Sequence, residues 1–236
     1  MAVNYYSRMR FTINLMPLLK AAGESGELSR MLTILAAGSE GDIMLDDLDL
    51  KRNYTLFRCL SHCVVMTDFM IEEFARRFPN TSFSHSYPGD VKTGFVDKLT
   101  GPARLAVKVM YALTSRWILN FQESGERHLF QITSAMYPAR RGNAGIPVPE
   151  DLAVINGTDG IQGSGGYLID WDRKVTGNTD VMRKYREQDA GPKIWKHTME
   201  LFQKIGSRKR SAEDPLESNK QAPPPSAPNL AGWRPA

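Results

Sequence analysis

The side chains best suited to chemistry at neutral pH are histidines and thiols, and His62, His85, Cys59 and Cys63 all fall in the first hundred residues. His85 stands in "SFSHSYPGD", a run stopped by Pro88-Gly89, which reads as a short strand closed by a turn. A lone imidazole there is either a hydrogen-bonded core residue or a base held at a strand end. His62 lies off the apolar stripe of a helix and is expected to be half-exposed. Cys59 and Cys63, four apart on that helix, share a face and read as two buried thiols. A reducing, cytoplasmic setting is the simplest inference from them. No His/Cys/Asp spacing suggests a metal site. The "GIQGSGG" loop, residues 160–166, has the glycine density of a phosphate cradle. Such a cradle must follow a strand and open a helix; this loop leads into an apparent strand and reads as a connection.

The elements that would position these residues follow from periodicity. Residues 4–20 carry Met9, Ile13, Met16 and Leu19 at helical spacing. "RMLTILAAG", closed by Gly38, reads as a buried parallel strand. A long helix is expected from about Tyr54 to Phe78, with the stripe Leu56, Leu60, Cys63, Thr67, Met70 and Phe74, ended by Pro79-Asn80. The strand at residues 81–87 follows. A helix is expected from Pro102 to about Asn120, and Ser124 could cap another. "GGYLIDWD" is a third strand candidate. Thr179 or Asp180 opens a final helical region, broken by Gly191-Pro192, with Ile194, Thr198, Leu201 and Ile205 on its inner face.

At 236 residues, 42% of them apolar, the chain can form one α/β domain with a core. The net charge is +4, and residues 207–236 contribute +2 of it, which leaves too little on the body for a nucleic-acid footprint. No apolar run reaches membrane-spanning length, so no membrane partner is expected. Six of the fourteen prolines fall in residues 207–236 without periodicity, which predicts a disordered Pro-rich tail behind a domain of residues 1–206.

Helix, strand, long helix, strand with PGxVxT, insertion, strand and helix, in that order, make the C-terminal half of a doubly wound, Rossmann-like parallel sheet of about three strands with flanking helices. On "NYYSRMRFTINLMPLL", "RMLTILAAG", "MTDFMIEEFARRFPNTSFSHSYPGDVKTGF" and "KIWKHTMELFQKI", the chain resembles the short-chain dehydrogenase/reductase family, fungal branch, over residues 2–206. The resemblance implies NAD or NADP as cofactor, and carbonyl reduction or alcohol oxidation on a small apolar substrate. It implies that Pro88, Gly89, Val91 and Thr93 meet the nicotinamide. The insertion, residues 101–149, would supply an apolar wall from Met110, Tyr111, Trp117 and Phe121. Asn4 matches the family's relay asparagine. The serine position falls on Ala36, with Ser39 beyond it, and the tyrosine and lysine positions fall on Leu56 and Leu60. Tyr54 and Arg58 have the same spacing and could share a face, the arginine keeping a positive charge beside the phenol; a surface tyrosine and arginine is the alternative.

On this reading the family's first four strands, with the phosphate turn, would precede Met1, a portion on the order of a hundred residues. The chain is then a weakly active or inactive, truncated oxidoreductase, or a non-catalytic, dimer-forming relative. The strand at residues 31–36 would be left with an open edge that favours a homo-oligomer.

Overall fold

The computed structural model describes residues 1–91, 100–101, 104–105 and 119–213, with side chains to residue 207. Three short strands, β1 (Arg30–Ile34), β2 (Ser82–Ser86) and β3 (Gly166–Ile169), form a parallel sheet in the order β1-β2-β3. Arg30 pairs with Ser82 and Ile34 with Ser86; Phe83 pairs with Gly166 and Ser86 with Ile169. The α/β class, the parallel sheet and the three strands follow the expectation from the sequence. The central strand, SFSHS, is buried at all five positions, and only Phe83 among them is a large apolar residue.

Helix α1 (Ser7–Glu24) follows a π-helical turn, Ala2–Tyr6, and turns Met9, Thr12, Met16 and Gly23 inward at helical spacing. Helix α2 (Leu56–Arg77) crosses the sheet behind β2 and β3 and buries fourteen residues. Its start is fixed by Thr55, whose hydroxyl accepts from the Arg58 N–H at 3.2 Å. Its end carries Arg76 and Arg77, both paired with Glu73, where cations complement the helix dipole. At Gly166 of β3 a side chain would stand 3.3 Å from the Ala75 Cβ, so the glycine sets how closely α2 approaches. The ring of Phe74 stacks on Phe83 at 5.3 Å and meets Trp195 edge-on at 5.5 Å. A second cluster, Met136, Tyr137, Tyr167 and Ile169, covers the β3 side.

The expected α2 stripe is buried from Cys63 onward, but Leu56 is 75% and Leu60 46% exposed. Those first turns run past the sheet, so their apolar side chains face outward instead of extending the core. His62 also departs from expectation, being fully buried. Its Nε2 accepts from the Met44 N–H at 3.0 Å and its Nδ1 faces the Leu48 carbonyl at 3.3 Å. The loop before α2 needs partners for its backbone, and the imidazole provides them. Cys59 and Cys63 are free and buried, as expected.

Helix α3 (Phe121–Thr133) is capped by Asn120, whose Oδ1 accepts from the Glu123 N–H at 2.8 Å. Ser124, the expected cap, lies one turn inside. Helix α4 (Thr179–Arg186) is capped by Asn178. The break before α5 (Ala190–Glu213) is made by Asp189 at φ 55°, not by Gly191-Pro192. Proline is tolerated in a first turn, where its missing N–H has no helical partner to lose. Ile194 and Thr198 are buried as expected, whereas Ile205 is exposed. The chain divides into two compact units, Met1–Thr198 and Met199–Ala236. The second carries α5 from Met199 through Glu213. The helix expected from residue 102 and the tail beyond residue 213 lie outside the described residues.

Candidate functional site

In a parallel sheet the loops that can hold a ligand gather where the strands end, at the carboxyl edge. Here β1 leads to Ala36-Ala37-Gly38-Ser39-Glu40, β2 to Tyr87-Pro88-Gly89-Asp90, and β3 to Asp170-Trp171. Backbone bonds hold the three exits side by side. The Leu35 N–H donates to the Ser86 carbonyl at 2.9 Å, and the Tyr87 N–H to the Ile169 carbonyl at 2.9 Å.

The Pro88-Gly89 turn requires its glycine. Gly89 has φ 75°, and a side chain there would stand 3.0 Å from the Trp171 Cβ and 3.1 Å from Leu119. The turn is then pinned on both flanks. The Tyr87 hydroxyl donates to Asp90 at 3.2 Å, and the Asp90 carbonyl accepts from the Leu119 N–H at 2.8 Å. Val91 bridges to Leu119 in parallel. Trp171, beneath the turn, is covered by the Arg127 guanidinium at 4.9 Å. Pro88, Gly89 and Val91 are therefore assembled in one rigid turn, while Thr93 lies outside the described residues. So do Met110, Tyr111 and Trp117 of the expected apolar wall; Phe121 is 66% exposed at the start of α3.

The other candidates are not gathered with the turn by any hydrogen bond of the described residues. Asn4 is exposed in the π-helical turn. Tyr54 precedes the capping residue of α2 and stands outside the helix, so it does not share a helical face with Arg58. The Arg58 guanidinium instead donates to the Asn53 carbonyl at 3.2 Å. Ser39 is exposed, with its N–H donating to the Ala36 carbonyl. The "GIQGSGG" loop leads into β3, as expected from the sequence.

His85 resolves as a structural imidazole rather than a base. Its Nδ1 lies 2.6 Å from Asp68 Oδ1, and its Nε2 accepts from the Ala36 N–H at 3.2 Å. Burial, with the nearby Arg8 charge, pushes its pKa down to about 3. With both nitrogens engaged and no solvent access, it cannot take a proton from a substrate. Asp68 was not marked by the sequence as a partner, although an acidic residue inside "VVMTDFMI" is the kind of signal that a buried network leaves.

No family model matches the chain. It is 38% identical over 204 residues to Oxidoreductase AN1596 of Emericella nidulans, covering 85% of this chain and 60% of that protein. It is 33% identical over 205 residues to Oxidoreductase andH of Emericella variicolor, covering 85% and 59%. Over 217 residues it is 25% identical to Short-chain dehydrogenase/reductase SAT2 of Stachybotrys chartarum, covering 86% and 58%. The chain thus spans about three fifths of the length of the curated relatives it matches. It is similar to fungal proteins named as oxidoreductases and, at lower identity, to one named as a short-chain dehydrogenase/reductase.

Proposed function

We propose that these residues form the carboxyl-edge part of an NAD(P)-type oxidoreductase that interconverts a carbonyl and an alcohol on a small apolar substrate. The observation that carries this reading is the Pro88–Val91 turn, closing the central strand of a parallel sheet and wedged on Trp171 and Leu119. Relatives named as oxidoreductases support it. The turn is suited to the nicotinamide end of a dinucleotide, since it offers backbone groups on a rigid support. The pyrophosphate end is different. Among the described residues no glycine-rich turn leads from a strand into a helix, so they form no anion seat of that kind.

Residues 1–236 alone are therefore expected to bind NADH or NADPH only weakly, with a dissociation constant above roughly 0.1 mM by isothermal calorimetry. A micromolar constant would show that the anion seat lies within this chain.

A second reading is favoured by the outer surface. Leu56, Phe57 and Leu60 are exposed together on the first turns of α2. Among the described residues no strand pairs with the outer edge of β1. The Ser29 carbonyl and the Leu35 N–H face β2, so by alternation the backbone groups of Arg30, Leu32 and Ile34 face away from it. The Ile34 carbonyl is covered by Arg8 at 2.7 Å. Apolar surface and unpaired edge groups both favour association, and we propose that the chain self-associates as a non-catalytic or scaffolding unit. Sedimentation at about 50 μM, a concentration that exposes weak association, is expected to show dimers or larger species. A folded monomer would contradict it. Among the described residues no helix is long and apolar enough to cross a membrane.

A further inference from the structure

Three acidic or basic side chains that this function does not use meet below the carboxyl edge. Asp68 and His85 have no exposed surface and Glu40 is 7% exposed. The backbone fixes their proton pattern. The Ala36 N–H can only donate, so His85 Nε2 accepts and Nδ1 carries the ring proton, which goes to Asp68 Oδ1. Glu40 is also engaged, its Oε1 accepting from the Gly38 N–H at 2.7 Å and its Oε2 from the Asn178 N–H at 2.6 Å. That leaves Asp68 Oδ2, which is buried and has no hydrogen-bond donor among the described residues. The carboxylate that acts most strongly on Asp68 is that of the neighbouring Glu40. Two carboxylates have only acceptors, so a hydrogen bond between them requires one proton.

We propose that Asp68 and Glu40 share one buried proton, and that it latches the loop after β1 and the cap of α4 to the sheet, so that its loss at raised pH loosens both. The latch spans four elements. Glu40 joins the Gly38 turn to Asn178, Asp68 supports Glu40 from α2, and His85 ties Asp68 to the end of β1. The charged groups around it are Glu72 on the next turn of α2, Arg186 of α4 and Arg8 of α1. Arg186 is already committed to Glu72, at 2.5 and 3.3 Å, so it does not neutralise Asp68 alone.

The direction with pH follows from linkage. Burial, then the neighbouring Glu40 carboxylate, raise the Asp68 pKa well above the carboxylate range. The folded chain keeps a proton that the unfolded chain releases, so stability falls as pH rises above the ordinary carboxylate value, until the native group itself titrates. His85 acts at the other end. Its pKa is lowered, so the fold loses stability as pH drops below the ordinary imidazole value.

Asp68→Asn separates these effects, because the amide donates to Glu40 and accepts from His85 as a protonated carboxyl does. In paired urea titrations from about pH 5 to about pH 7, the wild-type unfolding constant is expected to rise roughly tenfold per pH unit relative to the variant. Parallel pH dependence of the two proteins, or a variant equally weakened at every pH, would overturn the shared proton. Infrared spectroscopy of the wild type gives an independent reading should the variant not fold. A protonated-carboxyl band persisting at neutral pH supports the proposal, and its absence sinks it. Amide exchange at Gly38 and Asn178 tests the latch itself. Relative to the variant, which cancels base catalysis, both amides should lose protection in the wild type as pH rises. Equal protection in the two proteins would leave the proton without a latching role.

Discussion

Phe74→Ala is expected to cost roughly 3–5 kcal/mol of folding stability, the range for truncating an enclosed aromatic residue. Phe74 has no exposed surface, and its ring is the joint between three elements. It stacks on Phe83 of β2, meets Trp195 of α5 edge-on, and lies near Phe78 at the end of α2. Trp195 is held from the other side by Arg77, 4.2 Å above its ring, so it cannot collapse into the vacated space without breaking that stack. Strand β2 itself is short, polar and pinned on both sides by backbone pairing, so it is equally unable to follow. The cavity should stay open, which places the cost toward the upper end. Against a total of about 5–15 kcal/mol for a domain, this takes much of what is available. Urea unfolding measures it directly, and a loss under about 1.5 kcal/mol would mean that the three elements do not depend on this ring.

Gly23→Ala is expected to run against helix propensity. In an open helix, replacing glycine with alanine gains about 1 kcal/mol. Gly23 lies in the last turn of α1, where a Cβ would stand 2.4 Å from the Asn80 carbonyl oxygen and 3.0 Å from both its carbon and its Cβ. The obstacle is backbone, in the turn that links α2 to β2, and it is held there by the Thr81 N–H bond to the Phe78 carbonyl. Overpacking of this kind costs about 1–3 kcal/mol, so a net loss of roughly 2 kcal/mol is expected in the same urea assay. A stabilised variant would show that the end of α1 is free to move away from that turn.

The order of elements was legible because each carries its own period. "RMLTIL" and "GGYLI" are short apolar runs, and α2 repeats its apolar positions every three to four residues. What periodicity cannot show is how far a helix extends past the layer it covers. Leu56 and Leu60 are in phase with Phe74, yet they protrude because no strand of the described residues lies beneath the first turns of α2. Helix breaks were misplaced for a related reason. Gly191-Pro192 has the composition of a terminator, but it occupies a first turn, and the reversal is made by Asp189, whose left-handed φ leaves no mark in the sequence. The Pro88-Gly89 turn was legible down to its glycine. The latch was not, since Glu40, Asp68 and His85 are far apart in the chain and become a unit only when the parallel pairing brings the ends of β1 and β2 together.

The polar central strand has a consequence for the chain when it is not folded. Segments that assemble into fibrils combine high β propensity with hydrophobicity and low charge. In most sheets the innermost strand fits that description and is safe only while enclosed. Here the innermost strand is Ser-Phe-Ser-His-Ser, whose hydroxyls and imidazole bind water readily once released. The segment with the hazardous composition is Met31–Ile34, which the native sheet leaves at its margin. Protection from misassembly therefore cannot come from burying the dangerous strand deepest. It depends on whatever shields the outer strand, and a chaperone that recognises apolar extended segments would engage this chain at β1 before any part of its interior is exposed.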